Sequence, residues 1–151
     1  MPVNEEQIRN GVRNSAVGVT SGGSLTITSG RAIVGYNVQP SSSEWMLDLQ
    51  TLGPYLLVIP SDGFEFETET YHTQYKIKVY LWYGFDRDSD NDFIEIGKLT
   101  DALRKKWSTF GAISGVGTPP RIDMQTEKTN PDVKPAIALY TFLMTFGGAD
   151  D

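Results

Sequence analysis

The run FEFETETYHTQYKIKVYLWYG, beginning at Phe64, is the feature that most limits how this chain can fold. Tyr75, Ile77, Val79, Leu81 and Tyr83 fall on one side of a period-two alternation, with Gln74, Lys76, Lys78, Tyr80 and Trp82 on the other, so this is a strand with one apolar face. A single straight strand from Phe64 to Tyr83 would reach about 65 Å, whereas a compact domain of 151 residues is only about 40 Å across. Two outcomes resolve the conflict. Either the strand bends at a bulge, or its acidic first half, with Glu65, Glu67 and Glu69 alternating along one side, leaves the body as an arm over residues 62–73.

The flanking segments supply the rest of a layered domain. From Asn4, NEEQIRNGVRNSAV reads as an amphipathic helix capped by Asn4, with Gln7 at the capping-box position and Ile8, Val12 and Ala16 recurring every four residues. Residues 17–43 are rich in Gly, Ser and Thr and hold two β-prone runs, SLTIT and RAIVGYNV, separated by Ser29 and Gly30, which predicts a hairpin. PYLLVIP, closed by Pro54 and Pro60, suits a strand buried on both faces. A helix from Phe93 to about Ser108 carries the stripe Ile96, Leu99, Leu103 and Trp107, with Asp101 and Lys105 as a solvent pair and Arg104, Lys105 and Lys106 opposing the dipole at its end. Gly111 to Pro120 is a loop, RIDMQTE a strand, and AIALYTFLMTF, apolar on both faces, a central strand. The expected fold is α+β: a two-layer sandwich of one four-stranded mixed or antiparallel sheet with two main helices on one face, plus the hairpin insertion, all within one domain spanning 1–151.

DRDSDND, Asp86 to Asp92, resembles a calcium loop but fails the EF-hand pattern, because Asn91 stands where the glycine is required and Gly97 where the bidentate glutamate is required. Shifting the frame to Asp88 puts Phe93 and Leu99 in those places. The simpler reading is a helix start, with Asp92 as N-cap and Glu95 completing a capping box. GVTSGG at Gly18 has the glycine spacing of a phosphate loop, yet Ser24 replaces the lysine; GVGTPP at Gly115 and Gly117 begins like a dinucleotide fingerprint and ends on Pro120. His72 is the single histidine, and zero cysteines remove thiolate metal sites, cysteine nucleophiles and disulfides. The formal charge of −6 argues against general affinity for phosphate backbones. No cofactor and no metal is expected. With no apolar run near membrane-spanning length and no basic, apolar leader in MPVNEEQIRN, a soluble product made in the cytosol is expected.

Taken together, PYLLVIPSDG, the strand ETETYHTQYKIKVYLWYG, the helix FIEIGKLTDALRKKW, RIDMQTEKTNP and the closing AIALYTFLMTF resemble, in composition and order, the tail terminator or tail completion proteins of long-tailed bacteriophages. The likeness covers about two thirds of the chain, mainly residues 54–147; residues 17–43 and WMLDLQTLG fall outside it. It is a pattern of elements without an invariant signature. It implies a structural, non-enzymatic virion protein of the tail or neck, assembled in the host cytoplasm. Such proteins close into a ring, commonly of six, on the last ring of tail-tube protein, stop its polymerisation, and present their other face to head-completion or connector protein. DNA would pass through the lumen without specific binding, and no membrane is involved. The interface residues expected on this reading are Glu65, Glu67, Glu69, Tyr71 and His72 of the arm and Gly111, Gly115 and Gly117 of the glycine-rich loop, with Tyr80 and Trp82 as a further aromatic candidate.

Two other readings compete with it. A carbohydrate-binding or adhesin module would use Trp82 and Tyr80 as a stacking platform and be a monomer with glycan affinity. A glycosidase would draw an acid and a base from Glu65, Glu67, Glu69 and the aspartate loop, although carboxylates side by side on one strand face do not predict the pKa splitting that such chemistry needs.

Overall fold

The alternating run forms parts of two strands, and the reversal between them organises the molecule. The computed structural model describes residues 5–35, 53–67, 72–85, 90–109, 111–113, 119–128 and 136–146. In chain order these form α1 (Glu5–Ala16), a 3-10 turn (Ser29–Arg31), β1 (Ala32–Val34), β2 (Tyr55–Glu67), β3 (His72–Phe85), α2 (Asp90–Trp107), β4 (Arg121–Lys128) and β5 (Ala136–Phe146). The sheet order is β1-β2-β3-β5-β4, with β1 parallel to β2 and every other pair antiparallel. The result is an α+β fold with one mixed sheet and both helices on one side of it.

The expectation of one strand from Phe64 to Tyr83, bent or with an arm, is corrected: the run is divided between β2 and β3. Phe64 to Glu67 belong to β2, continuing PYLLVIP, and pair back onto β3 in the register Phe64↔Tyr75 to Glu67↔His72. This pairing back resolves the length conflict, and the register shift lies ahead of the run, between Pro60↔Ile77 and Phe64↔Tyr75. Four residues advance on β2 while two advance on β3 (64 − 60 against 77 − 75). Pro60 does not close the strand; it brings no N–H to the ladder, and a ladder break there suits a bulge.

The fold has five strands where four are expected, and among the described residues the predicted hairpin is not formed. SLTIT turns back on the segment before it: Thr20 bridges Thr26, Ser21 N–H donates to Leu25 O (2.9 Å) and Ile27 N–H to Val19 O (2.9 Å). The front of RAIVGYNV is β1, matched to Leu56, Leu57 and Val58. Ser29 and Gly30 enter a 3-10 turn, closed by Arg31 N–H on Thr28 O (3.1 Å), so they give none of the reversal a hairpin needs.

The expected core faces are those found. Ile77, Val79, Leu81 and Tyr83 are buried beneath the helices with Leu56, Val58, Phe142, Met144 and Phe146, joined by Ile8, Val12 and Ala16 of α1 and Ile96, Leu99, Leu103 and Trp107 of α2. β5 is interior in the sheet, as its two apolar faces predict. Trp107 stands edge-on to Phe142, ring centroids 5.2 Å apart at 80°. Its buried indole Nε1–H donates to Ser15 Oγ (3.1 Å), and the Ser15 hydroxyl donates to Val12 O (2.9 Å), so one polar chain pins α2 to α1. Arg13 ties α1 to the start of β1 by donating to Ala32 O (2.9 Å) and Ser29 O (2.7 Å).

The capping of α2 differs from expectation. The helix starts at Asp90, so Asp92 lies in its first turn, and the Glu95 carboxylate is taken by a distant loop instead of completing a capping box. Asn4, the expected cap of α1, lies outside the described residues.

Gly97 in α2 meets nothing within 4 Å of an added Cβ. Replacing it with alanine should raise the unfolding free energy by about 1 kcal/mol, the helix propensity difference, in urea titration; a lowered midpoint would show that the position needs glycine. Phe142→Ala should cost about 3–5 kcal/mol in the same assay, through the cavity opened beneath Trp107.

Candidate functional site

Three regions hold the expected functional residues. The first is the end of the β2–β3 pair. Glu65 sits opposite Gln74, and Glu67 opposite His72, the first residue of β3. The last β3 residue matched to β5 is Tyr75, opposite Phe146, so among the described residues His72, Thr73 and Gln74 pair only with β2. On its other side β2 is matched by β1 only at Leu56 to Val58. Among the described residues the end of the hairpin is therefore matched by β2 and β3 to each other alone. Glu69 and Tyr71 lie outside the described residues.

The second region follows α2. Ser108 N–H donates to Arg104 O (3.0 Å) and Thr109 N–H to Lys106 O (3.2 Å), which closes the helix, and Gly111 takes φ +78° in the exposed turn beyond. Gly115 and Gly117 lie outside the described residues. Arg104, Lys105 and Lys106 are all exposed on the last turn of α2. Asp101 and Lys105 are exposed as expected but form no ion pair with each other.

The third region is the sheet face away from the helices. Trp82 packs there with Leu57, Tyr55, Ile59, Tyr80 and Leu139, its ring 5.5 Å from that of Tyr80 and 6.1 Å from that of Tyr55. Only 6% of Trp82 is exposed, so it presents no flat ring to a sugar; half-buried Tyr80 is the one of the pair with surface to offer. Arg31 lies over the Tyr55 ring, 5.5 Å from its centroid, and donates to Gly53 O (3.2 Å).

A fourth constellation, which no motif in the sequence marks, joins the glycine loop to α2. Glu95 is 8% exposed; its Oε2 accepts from the Ser21 hydroxyl (2.7 Å) and from the Ser24 amide (3.2 Å). A Cβ at Gly23 would overlap both carboxylate oxygens, and Gly22 turns the chain with φ +85°. The failed phosphate loop thus cradles an anion, but the anion is the protein's own glutamate. The Ser21 hydroxyl holds this carboxyl below its ordinary range; burial opposes the shift, and the Ser24 amide and the Lys98 charge reinforce it. A signal was available in the sequence: Glu95 directly adjoins Ile96 of the buried stripe, where a carboxylate requires donors.

The chemistry on offer is modest. Burial, then the charges of Asp92 and Glu95, then Tyr140, push the Tyr83 phenol up to about 12, so it stays neutral. Burial likewise raises Tyr140. Among the described residues no three His, Asp or Glu side chains converge to hold a metal ion, and no helix is long and apolar enough to cross a membrane. Asp86 and Asp88 of the aspartate loop lie outside the described residues. Comparison with protein-family models finds no match to this chain, and comparison with curated proteins finds no relative.

Because the folded-state value of Glu95 is depressed, its ionised form stabilises the fold above the unfolded carboxyl range, and that contribution is lost as pH falls through the folded value. Glu95→Gln should therefore be less stable than wild type at neutral pH and lose less stability on acidification, as read from urea midpoints between about pH 3 and 7. Parallel curves for the two proteins would remove Glu95 from the acid response.

Proposed function

We propose that this chain is a structural protein of a tailed bacteriophage that closes into a ring at the end of the tail tube, ends tube growth and forms part of the joint to the head. The observation that carries the reading is the far end of the β2–β3 pair, where among the described residues the two strands are matched only to each other. A two-stranded ribbon is marginal in water on its own, and a partner surface would cover it. The order helix, paired long strands, helix, paired strands also agrees with the tail terminator pattern that the sequence resembles.

The mechanism is geometric. A subunit whose one surface copies the docking face of the tube, and whose opposite face refuses another tube ring, ends the filament while head-to-tail contacts close its own ring. No bond is made or broken. In keeping with this, Glu95, the buried carboxylate among the described residues, is committed to Ser21 and Ser24, and Tyr83 is held neutral. The acidic balance suits a lumen past which DNA slides. The adhesin alternative draws on the Tyr55, Tyr80 and Trp82 cluster, where the burial of Trp82 counts against a stacking platform.

Light scattering on size-fractionated protein and negative-stain microscopy, each with and without tail-tube protein, should show rings and tubes that stop elongating when this chain is added. A monomer at every concentration that leaves tube growth unchanged and binds glycans would overturn the proposal in favour of the adhesin. Within the ring reading, alanine at Glu65, Glu67 and Glu69 together should weaken ring formation or docking; undiminished assembly of infectious particles would take the arm out of the interface.

A further inference from the structure

We infer that the outer edge of β4 pairs antiparallel with β4 of a second copy, about a dyad at Met124, joining two five-stranded sheets into one. This goes beyond the ring reading. A dyad turns the two copies end for end, which a ring with unlike faces does not admit, so the contact belongs to the free chain and gives way when a ring forms.

The two edges of the sheet are not alike. β1 is three residues long, and Arg13 donates from Nε to Ala32 O (2.9 Å) and from Nη2 to Ser29 O (2.7 Å), so a strand added there would have to displace a guanidinium. β4 runs from Arg121 to Lys128 with no proline inside it and, among the described residues, is matched to β5 alone. Ile122 and Met124 pack against the core, while Arg121, Asp123 and Gln125 are exposed, Arg121 and Asp123 with 79% and 54% of their side chains in solvent. An edge strand of this kind presents a row of backbone donors and acceptors to another strand.

A second copy fits that edge best in one register. Opposed residues of a continuous sheet share a face, so antiparallel self-pairing places the dyad on a residue. At Ile122 the strands overlap only over 121–123, and Pro120, which has no N–H, stands opposite Met124. At Asp123 two carboxylates oppose each other, which is destabilising. At Met124 the overlap runs over 121–127, and each Asp123 faces Gln125 of the second copy, an acceptor opposite an amide donor, twice per dimer. At Gln125 the overlap moves to 122–128 and Asp123 loses that amide. The contact between Arg121 Nε and Asp123 Oδ2 within one copy, 3.5 Å, is exposed and weak, and it leaves Oδ1 for the amide. A foreign strand would meet the same backbone edge, but the doubled match of Asp123 with Gln125 comes with a second copy.

The chain has no cysteine, so introduced ones report the register directly. Equal amounts of Asp123→Cys and Gln125→Cys should form a disulfide-linked heterodimer on oxidation, because opposed residues of an antiparallel pair lie about 4.5–5.5 Å apart at Cα, within disulfide reach. Each variant alone should cross-link far more slowly. In sedimentation velocity Gln125→Lys should tighten the dimer and Gln125→Asp loosen it, each by about threefold to tenfold, as charges opposed across strands do, with far-UV circular dichroism unchanged at this exposed position. A wild type that stays monomeric at every concentration overturns the pairing and leaves the β4 edge to a foreign strand. Cross-linking of either cysteine variant alone at the rate of the mixture, or a shift in the same direction from Lys and Asp, overturns the dyad at Met124. Rings formed with tube protein are read in a separate experiment, so either reading can fail without the other.

Discussion

The antiparallel pairing of β2 with β3 is the interaction on which the remaining structure depends. It sets the face of β3 that receives the helices, because Leu56↔Leu81 and Val58↔Val79 stack their side chains on the side where α1 and α2 lie. Among the described residues the pairing continues to Glu67↔His72, beyond Tyr75↔Phe146, the last match between β3 and β5. The register shift after Pro60 lies between these two parts. On the body side the ladder is locked by a core; beyond it the described pairing is between the two strands alone. A one-residue slip would turn every buried side chain of β3 to the opposite face, so the body fixes the register that the ribbon inherits.

The helices are attached to this sheet by apolar area and placed by two polar nodes. Trp107 brings a large ring onto Phe142, and its N–H finds the Ser15 hydroxyl, so the bulkiest core residue leaves no buried donor unpaired. At the other end of α2, Glu95 holds the 18–24 loop through Ser21 and Ser24. One node fixes the last turn of the helix and the other its second turn. With both ends anchored, the Arg104 to Lys106 cluster is presented from a rigid support rather than from a fraying tail.

What could be read directly from the residues was periodic. The β3 alternation, the α1 and α2 stripes and the two-faced β5 each repeat a burial requirement several times, and the structure buries those residues accordingly. Single events were harder to read. The reversal after Glu67 was invisible because the alternation on both sides of it has the same period, and only the length conflict hinted at it. β1 has three residues, too few for any pattern, and its parallel partner lies more than twenty positions away. Glu95 looked like a local cap because capping rules describe neighbours in sequence, while its donors sit 71 and 74 positions earlier. As for the candidate site, Glu65, Glu67 and His72 stand at register positions of the β2–β3 pair, and Trp82 of the aromatic candidate is buried.

Net charge alone would make self-association hard, since every copy carries a formal −6. Screening changes the problem: at physiological ionic strength the Debye length is about 8 Å, so copies respond to charges near the contact more than to the total. For a chain that is acidic overall, the sign and spacing of the residues at a contact therefore weigh more than the total charge.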